Sequence, residues 1–187
     1  QESGVTLAPS LQALVEGVDI VICAVSASLA VELARECLPW LRADQVYADF
    51  NSAGPQTKIE IAALFAPPGI PFVDGAIMGT VPGLGHKVPT LICGTGAQAL
   101  AAALQPYGMA LSVLEGDAGR ASASKMLRSI FMKGVVALLL ETVLAGHRYG
   151  LEDDLLQSIA DTFANGSFHD VVNGLMTVRV GIAAMRV

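Results

Sequence analysis

A short polar patch on an otherwise apolar stretch is the first feature of the sequence that could do chemistry. Ser122, Arg128 and Ser129 each lie three or four positions from Lys125, so all four residues share one face of a helix. A lysine in this place can exchange a proton if its pKa falls from about 10.4 towards neutrality. The helix dipole and the like charge of Arg128 both favour that fall. A solvated helix start is the other interpretation, and these residues alone leave both open.

A glycine-rich motif, Gly94-Thr95-Gly96-Ala97-Gln98-Ala99, follows an apolar segment and precedes a helix-like one. With the acidic Glu115 at the end of the next apolar segment, it fits the dinucleotide-binding pattern G-x-G-x-x-A. In that pattern the glycines let the backbone approach a pyrophosphate at a helix N-terminus. A tight strand-to-helix turn that needs small residues is the alternative. We favour the turn, because a single match of this kind is weak.

A second glycine-rich segment, residues 75–87, begins on a strand-like segment and continues as a loop. The turn at residues 49–54 follows another strand-like segment. Ligands of open α/β sheets bind at the carboxyl ends of the strands. We therefore expect the loop and the turn to face one crevice, although a surface loop made of turn residues is the alternative for residues 75–87.

The elements that must position these residues alternate between strands and helices as far as residue 117. Short apolar runs predict five strands, and the segments between them predict helices that end at proline or glycine. This alternation predicts an α/β fold with a parallel sheet. The first strand is uniformly apolar, which is typical of a strand buried on both faces. The predicted strands are 19–25, 45–50, 71–77, 89–93 and 110–114, and the predicted helices cover about 26–38, 55–65 and 97–104.

The pattern changes after about residue 117. Residues 118–147 contain no proline and predict one helix of about 30 residues, roughly 45 Å long. Its apolar residues lie almost all round, so we expect it to be the most buried element, between subdomains or subunits. Further helices are predicted over about 152–165 and from Ser167 onwards. The sequence thus predicts two domains, an α/β domain at 1–117 and an all-α domain at 118–187.

Three segments, in the same order, resemble the β-hydroxyacid dehydrogenases, a family that includes 3-hydroxyisobutyrate and 6-phosphogluconate dehydrogenases. Residues 74–95 resemble the family's substrate segment, D-A-P-V-S-G-G-x-x-G-A-x-x-G-T-L-x-x-x-x-G-G. Asp49-Phe50-Asn51-Ser52 resembles its D-x-S-T turn, and residues 119–129 resemble G-x-G-x-x-x-K-x-x-x-N. The resemblance implies a partial Rossmann-like domain, an all-α C-terminal domain and NAD or NADP as the cofactor. It also makes the Gly94 motif the end of the substrate segment and places the dinucleotide fingerprint before Gln1.

The resemblance implies a role for each matching position, with Lys125 as the lysine that transfers a proton. The sequence departs from the family at Met78-Gly79-Thr80, where the family has Ser-Gly-Gly, and at Ser129, where it has asparagine. These departures leave the identity of the substrate open. The implied cofactor-binding residues are Val25, Ser26, Asn51 and Ser52, and the implied substrate-binding residues are Met78, Gly79, Thr80, Arg128 and Ser129.

The expected function is that of an NAD(P)-dependent oxidoreductase. By this resemblance it acts on a small 3-hydroxyacid by hydride transfer, with a lysine as general acid and base. A non-catalytic α/β binding or assembly protein on the same scaffold is the alternative. The altered loop and the missing asparagine favour that alternative.

Composition excludes several other classes of protein. Of the 187 residues, 53% are hydrophobic and 15% are charged, which excludes intrinsic disorder. Eleven basic and 17 acidic residues give a net charge of −6 without a basic run, which argues against nucleic acid or an anionic membrane as a partner. The three cysteines lack the spacing of metal ligands, so we predict no metal site and a reducing cytoplasm.

Two further expectations concern the whole protein. No uninterrupted apolar run approaches the roughly 20 residues that span a bilayer, so no membrane segment is expected. The sequence begins at Gln1 and stops within an apolar pattern, which indicates a piece of a longer chain. The apolar residues of the long helix and of 175–185 exceed what one small domain can cover, so we expect a homodimer or a higher homo-oligomer.

Overall fold

The computed structural model describes residues 4–165. Its five strands form one sheet in the order β1-β2-β3-β4-β5. The strands are β1 (Ile20–Cys23), β2 (Val46–Asp49), β3 (Phe72–Ile77), β4 (Thr90–Cys93) and β5 (Leu111–Val113). The helices are α1 (Leu11–Glu16), α2 (Ala30–Cys37), α3 (Pro55–Phe65), α4 (Ala97–Leu104), α5 (Arg120–His147) and α6 (Glu152–Asn165).

The predicted strands and helices within this range are confirmed, with ends that differ by a few residues. Helix α1 was not predicted, and it begins where the Ser10 hydroxyl accepts a hydrogen bond from the amide of Ala13 at 3.1 Å. Its single buried residue, Val15, leaves no helical period to detect. The helix predicted from Ser167 lies outside the described residues.

The sheet is mixed, which corrects the prediction of a parallel one. Strands β1, β2 and β3 run parallel, β4 runs antiparallel to β3, and β5 runs parallel to β4. The physical reason lies in the connection between β3 and β4. Residues 78–89 form a loop with one short 3₁₀ turn rather than a crossover helix, and a parallel pair needs such a crossover.

Strand β1 differs from its prediction because it lies at the edge of the described sheet. Val21 and Cys23 are buried on one face, whereas Ile22 is exposed on the other. A uniformly apolar run therefore does not make this strand buried on both faces.

Two apolar clusters cover the two faces of the sheet. Alternate residues of β2 divide between them, as the two-residue period of a strand requires: Tyr47 packs with Phe65 of α3, and Ala48 packs in the cluster that contains Leu100 of α4. Helices α2 and α3 thus cover one face and α4 covers the other. This arrangement is the Rossmann-like α/β architecture that the resemblance implies.

Helix α5 is one continuous helix of 28 residues, as predicted. The expectation that it is the most buried element is wrong for the single chain. Ala121 and Ser122 near its start are buried, but most apolar side chains from Met126 to Leu144 are exposed. An 18-residue window of α5 has a mean hydropathy of 1.7, so by length and composition alone this helix is long and apolar enough to cross a membrane.

Within residues 4–165 the chain divides into two compact units, with the division between residues 130 and 131. In the second unit, Gly146 near the end of α5 is buried, and a Cβ there would lie 2.5 Å from Leu155 Cδ1 of α6. The missing side chain therefore lets α6 approach. Three acidic residues, Glu152, Asp153 and Asp154, occupy the first turn of α6, where the helix dipole favours negative charge.

Candidate functional site

The carboxyl ends of β1 and β2 are joined by one side chain, that of Asn51. Its Oδ1 accepts a hydrogen bond from the Val25 amide at 2.6 Å, and its Nδ2 donates to Asp49 Oδ2 and to Cys23 Sγ, both at 3.2 Å. Asn51 is itself buried, while Val25, Ser26 and Ser52 around it are exposed. The predicted cofactor-binding residues therefore do lie together, along one edge of the sheet.

Lys58, a buried lysine that no sequence motif indicated, binds the residues at the carboxyl end of β2. Lys58 Nζ, on α3, donates to the backbone oxygen of Asp49 at 2.7 Å and to Asp49 Oδ1 at 2.6 Å. It lies 3.6 Å from Asp74 Oδ1 on β3, and all three charged side chains are buried. The signal in the sequence is periodicity. Lys58 precedes the buried Ile61 and Phe65 by three and seven positions, so it lies on the inward stripe of α3.

Asp74 binds the start of α5. Its Oδ2 accepts hydrogen bonds from the backbone amides of Gly119 at 3.0 Å and Ser122 at 3.1 Å, and its Oδ1 accepts from the Ser122 hydroxyl at 2.6 Å. A carboxylate at this position satisfies amides that have no partner within the helix and faces the positive end of the helix dipole. The sheet therefore fixes where α5 begins.

Lys125 lies one turn into α5 and meets the turn after β2. Its Nζ donates to the hydroxyl of Ser52 at 2.9 Å. Its pKa lies below the usual lysine value, first because partial burial penalises the charged form and second because Lys58 carries like charge nearby. Proximity to Lys58 is a cause that the sequence did not reveal, since 67 positions of chain separate the two residues.

The predicted substrate-binding residues occupy two places. Met78 is half-buried and packs against the cluster of Ala76, Cys93 and Ala121, while Gly79 and Thr80 are exposed at the start of the loop after β3. Arg128 is exposed and Ser129 half-buried on α5, one turn beyond Lys125. Within residues 4–165, the hydrogen bond between Lys125 and Ser52 is the one side-chain hydrogen bond that joins the predicted catalytic residue to a predicted binding residue.

The Gly94 motif lies at the other end of the strands, near the amino ends of β2 and β3 and away from Asn51, Ser52 and Lys125. Gly94 has φ = +103°, and a Cβ there would lie 2.7 Å from the backbone oxygen of Phe72. A Cβ on Gly96 would lie 3.0 Å from Val73 Cγ2, and its amide donates to Phe72 O at 2.9 Å. The two glycines are thus required by close packing against β3, as the tight-turn interpretation predicts.

The arrangement supplies an amine of lowered pKa at the carboxyl edge of parallel strands, with exposed polar groups beside it. Exposed Val25, Ser26 and Ser52 lie beside the buried Asn51 at the carboxyl ends of β1 and β2. A nicotinamide has an apolar ring face and a polar carboxamide, so the chemistry of these residues fits that group. In residues 4–165 no group of three or more histidine, cysteine, aspartate or glutamate side chains is placed to hold a metal ion. The Lys125 amine, with its lowered pKa, can exchange a proton at this position.

Comparison with known proteins agrees with this geometry. Residues 1–112 match a family model described as the NAD-binding domain of 6-phosphogluconate dehydrogenase. An uncharacterized protein of Methanothermus fervidus is 32% identical over 159 residues, which cover 85% of this chain and 60% of that protein. The chain thus spans less than two thirds of the length of this relative.

Solved structures show the same fold. A conserved protein of unknown function, described as structurally similar to 3-hydroxyacid dehydrogenases, superposes with a TM-score of 0.76 at 34% identity, over 90% of this chain and 62% of that one. A variant of an imine reductase from Myxococcus stipitatus, solved with NAD⁺, superposes with a TM-score of 0.79 at 23% identity. That match covers 95% of this chain and 63% of the reductase, and at this identity it shows the fold alone.

Proposed function

Because the chain belongs to the family of the NAD-binding domain of 6-phosphogluconate dehydrogenase, we propose that it is part of an NAD(P)-dependent oxidoreductase that acts on a small 3-hydroxyacid. In this proposal Lys125 is the general acid and base. The contact between Lys125 Nζ and Ser52 Oγ, at 2.9 Å, carries the proposal. It brings a half-buried amine of lowered pKa to the carboxyl ends of the strands in the NAD-binding domain that the family model matches.

Oxidation of a secondary alcohol needs a base for the hydroxyl proton, and the reverse reaction needs an acid. A neutral Lys125 takes that proton during oxidation, and its ammonium form returns it during reduction. When bound, NAD(P) accepts or supplies the hydride. Partial burial and Lys58 favour the neutral amine, so both forms of Lys125 are accessible closer to neutral pH than for an exposed lysine.

Other residues hold the reactants in this proposal. Val25, Ser26, Asn51 and Ser52 line the nicotinamide side, with Asn51 fixing the backbone at Val25. Gly79 and Thr80 offer backbone amides and a hydroxyl to a substrate carboxylate, and Ser129 offers its hydroxyl on the same helix as Lys125. Met78 and Arg128 complete the proposed substrate-binding residues.

The test is a cofactor-linked assay on the protein in its full length. NADH and NADPH absorb at a wavelength where their oxidised forms do not, so turnover with a panel of small 3-hydroxyacids is followed directly. We expect oxidation of at least one member with NAD⁺ or NADP⁺. Cofactor binding without turnover of any hydroxyacid, or of an imine in the reverse direction, would favour the non-catalytic binding or assembly protein.

We also propose a homodimer or higher homo-oligomer, located in the cytoplasm and without nucleic-acid or membrane partners. Exposed apolar side chains follow one another along α5, and a surface of this kind marks an interface with protein or lipid. Lys125 and Arg128 near the start of the helix and Glu141 near its end suit a protein interface better, because charged groups in hydrocarbon are costly.

A further inference from the structure

No member of the buried group of Asp49, Lys58 and Asp74 exchanges a proton or binds a reactant in the chemistry proposed above. The Lys58 ammonium touches one carboxylate at 2.6 Å and the other at 3.6 Å, and all three side chains are shielded from solvent. Ion pairs of this kind contribute little net stability, because desolvation of the charges offsets their attraction. Their presence in a core therefore calls for an explanation other than stability.

Asp49 holds the segment that carries Ser52, and Asp74 holds the segment that carries Lys125. Asp49 Oδ1 accepts from the amide of Asn51 at 2.8 Å, which shapes the turn that carries Ser52. Asp74 accepts from Gly119 and Ser122, which fixes the turn of α5 that carries Lys125. The two segments lie far apart in the chain.

Lys58 is the group that both carboxylates share. It donates to both a backbone oxygen and a carboxylate oxygen of Asp49, which fixes the orientation of that strand end. Asp74 Oδ1 is bound to the Ser122 hydroxyl and is also the atom nearest to Lys58. A shift of Lys58 would therefore move both anchors together.

We propose that Lys58 is a positioning residue for the proton transfer at Lys125, because it holds the Asp49 turn and the Asp74-bound start of α5 in one geometry. This inference rests on the proposed function. Lys58 acts through Asp49 and Asp74, and among the described residues it makes no hydrogen bond to Lys125 or Ser52.

The charge of Lys58 also acts on Lys125. The charged and titratable groups on the elements that meet at Lys125 are Lys58 and Glu60 on α3, Asp49 at the end of β2, Asp74 on β3, and Arg120, Arg128, Lys133, Glu141 and His147 on α5 itself. Of these, Lys58 lowers the pKa of Lys125, in addition to the effect of burial. Removal of its charge should therefore raise that pKa, so that a base is available only at higher pH.

The experiment compares Lys58→Met with the double variant Asp49→Asn/Lys58→Met. Methionine keeps the length and removes the ammonium, and the double variant keeps the net charge of the buried group at −1, as in the parent. We expect both to lower kcat for hydroxyacid oxidation by about 10- to 100-fold at neutral pH, because small displacements at a reacting group have effects of this order. In Lys58→Met the rising limb of kcat against pH should also move to higher pH.

Arg35→Met is the matched control. Arg35, on α2, forms an exposed ion pair at 2.8 Å with Glu60, which lies on α3 as Lys58 does. The control variant should keep the kcat and the pH profile of the parent. A folded Lys58→Met protein with the kcat and pH profile of the parent would overturn the proposal. Failure of both Lys58 variants to fold would overturn it too, because Lys58 would then serve stability.

Lys125→Ala, measured in parallel, separates this inference from the proposed function. If Lys125→Ala loses turnover while Lys58→Met does not, the positioning role alone is refuted. If Lys125→Ala keeps the turnover of the parent, the proposed proton-transfer role of Lys125 is refuted and the positioning role of Lys58 with it. Loss of turnover in both, with the shifted pH limb in Lys58→Met, supports both.

Discussion

Ser122 and Asp74 are bound to each other across 48 positions of sequence, with the serine hydroxyl 2.6 Å from Oδ1 of the carboxylate. Asp74 also accepts the amides of Gly119 and Ser122, so one side chain of the sheet both caps α5 and sets its position. The geometry of Lys125, one turn later, depends on this capping contact.

Replacement of Asp74 by asparagine should therefore destabilise the protein. The variant loses charge-assisted hydrogen bonds to two amides and a hydroxyl, and such bonds contribute about 1.5–3 kcal/mol each, although not additively. We expect the free energy of unfolding to fall by roughly that amount, measured by urea denaturation. Asp44→Asn is the control, because the exposed pair of Asp44 with Arg42 should contribute about 0–1 kcal/mol. Equal effects of the two substitutions would contradict the capping role.

Lys125→Ala should remove the proton-transfer group and leave the fold intact. General acid–base catalysis contributes about 10²–10⁴-fold, so kcat should fall by that factor in steady-state assays. Lys125→Arg should not restore it, because a guanidinium stays protonated near neutral pH. Ser129→Ala should change KM more than kcat if it only positions the substrate. Turnover at the level of the parent in Lys125→Ala would transfer the role to Lys87, Lys133 or His86.

The lowered pKa of Lys125 predicts opposite pH dependences for the two directions of the reaction. Oxidation needs the neutral amine, so its kcat should rise with pH through the pKa of Lys125. Reduction needs the ammonium form, so its kcat should fall through the same pKa. Because burial and then Lys58 lower that pKa, both transitions should lie below the ordinary lysine value of about 10.4. Profiles of kcat against pH in both directions test this, and transitions at or above that value would contradict it.

Gly94→Ala should reduce stability without changing cofactor affinity. The substitution places a Cβ at φ = +103° and 2.7 Å from the oxygen of Phe72, a conformation that costs about 1–3 kcal/mol. Gly134→Ala is the control, since a Cβ there meets nothing within 4 Å and alanine favours helix by about 1 kcal/mol. Thermal unfolding and titration with NAD⁺ and NADP⁺ measure the two effects. A large loss of cofactor affinity with unchanged stability would restore the dinucleotide interpretation of this motif.

The exposed apolar face of α5 should be covered by a second copy of the protein. Leu138 and Leu144 are 66% and 68% exposed, and single lysines there should shift the protein towards monomer. Sedimentation of the full-length protein at micromolar concentration measures this. A strict monomer in the parent would contradict the proposal, and partition of the parent into lipid vesicles would show instead that α5 binds membrane.

The helices and strands could be predicted from the sequence because the hydrophobic pattern that indicates each of them lies within its own segment. Strands β1 to β5 and helices α2 to α6 follow from apolar runs and from stop signals such as Pro39 and Gly150. The antiparallel direction of β4 could not be predicted from the general alternation of strands and helices. It depends on the connection between β3 and β4, which is a loop and not a helix. The exposure of α5 also escaped prediction, because an apolar helix has the same composition whether the rest of its own chain or another surface covers it.

The site was predicted where residues match a motif and was missed where function depends on contacts between distant segments. Asn51, Ser52 and Lys125 lie within quoted motifs, and the structure brings the latter two into contact. Lys58 matches no motif, and its partners Asp49 and Asp74 lie on two different strands. Only its place on the inward stripe of α3, beside Ile61, indicated that its ammonium had to find carboxylates in the core.

The capping of α5 by Asp74 also fixes the rotation of the helix about its own axis. Successive residues turn by about 100° around the helix axis. Because Ser122 is fixed and Lys125 follows it by three residues, this rotation determines the direction in which the Lys125 side chain leaves the helix. Deletion or insertion of one residue between them would rotate the amine by about 100° and turn it away from Ser52, while the helix itself would persist. Between these two residues, therefore, the number of residues constrains the site more tightly than their identity.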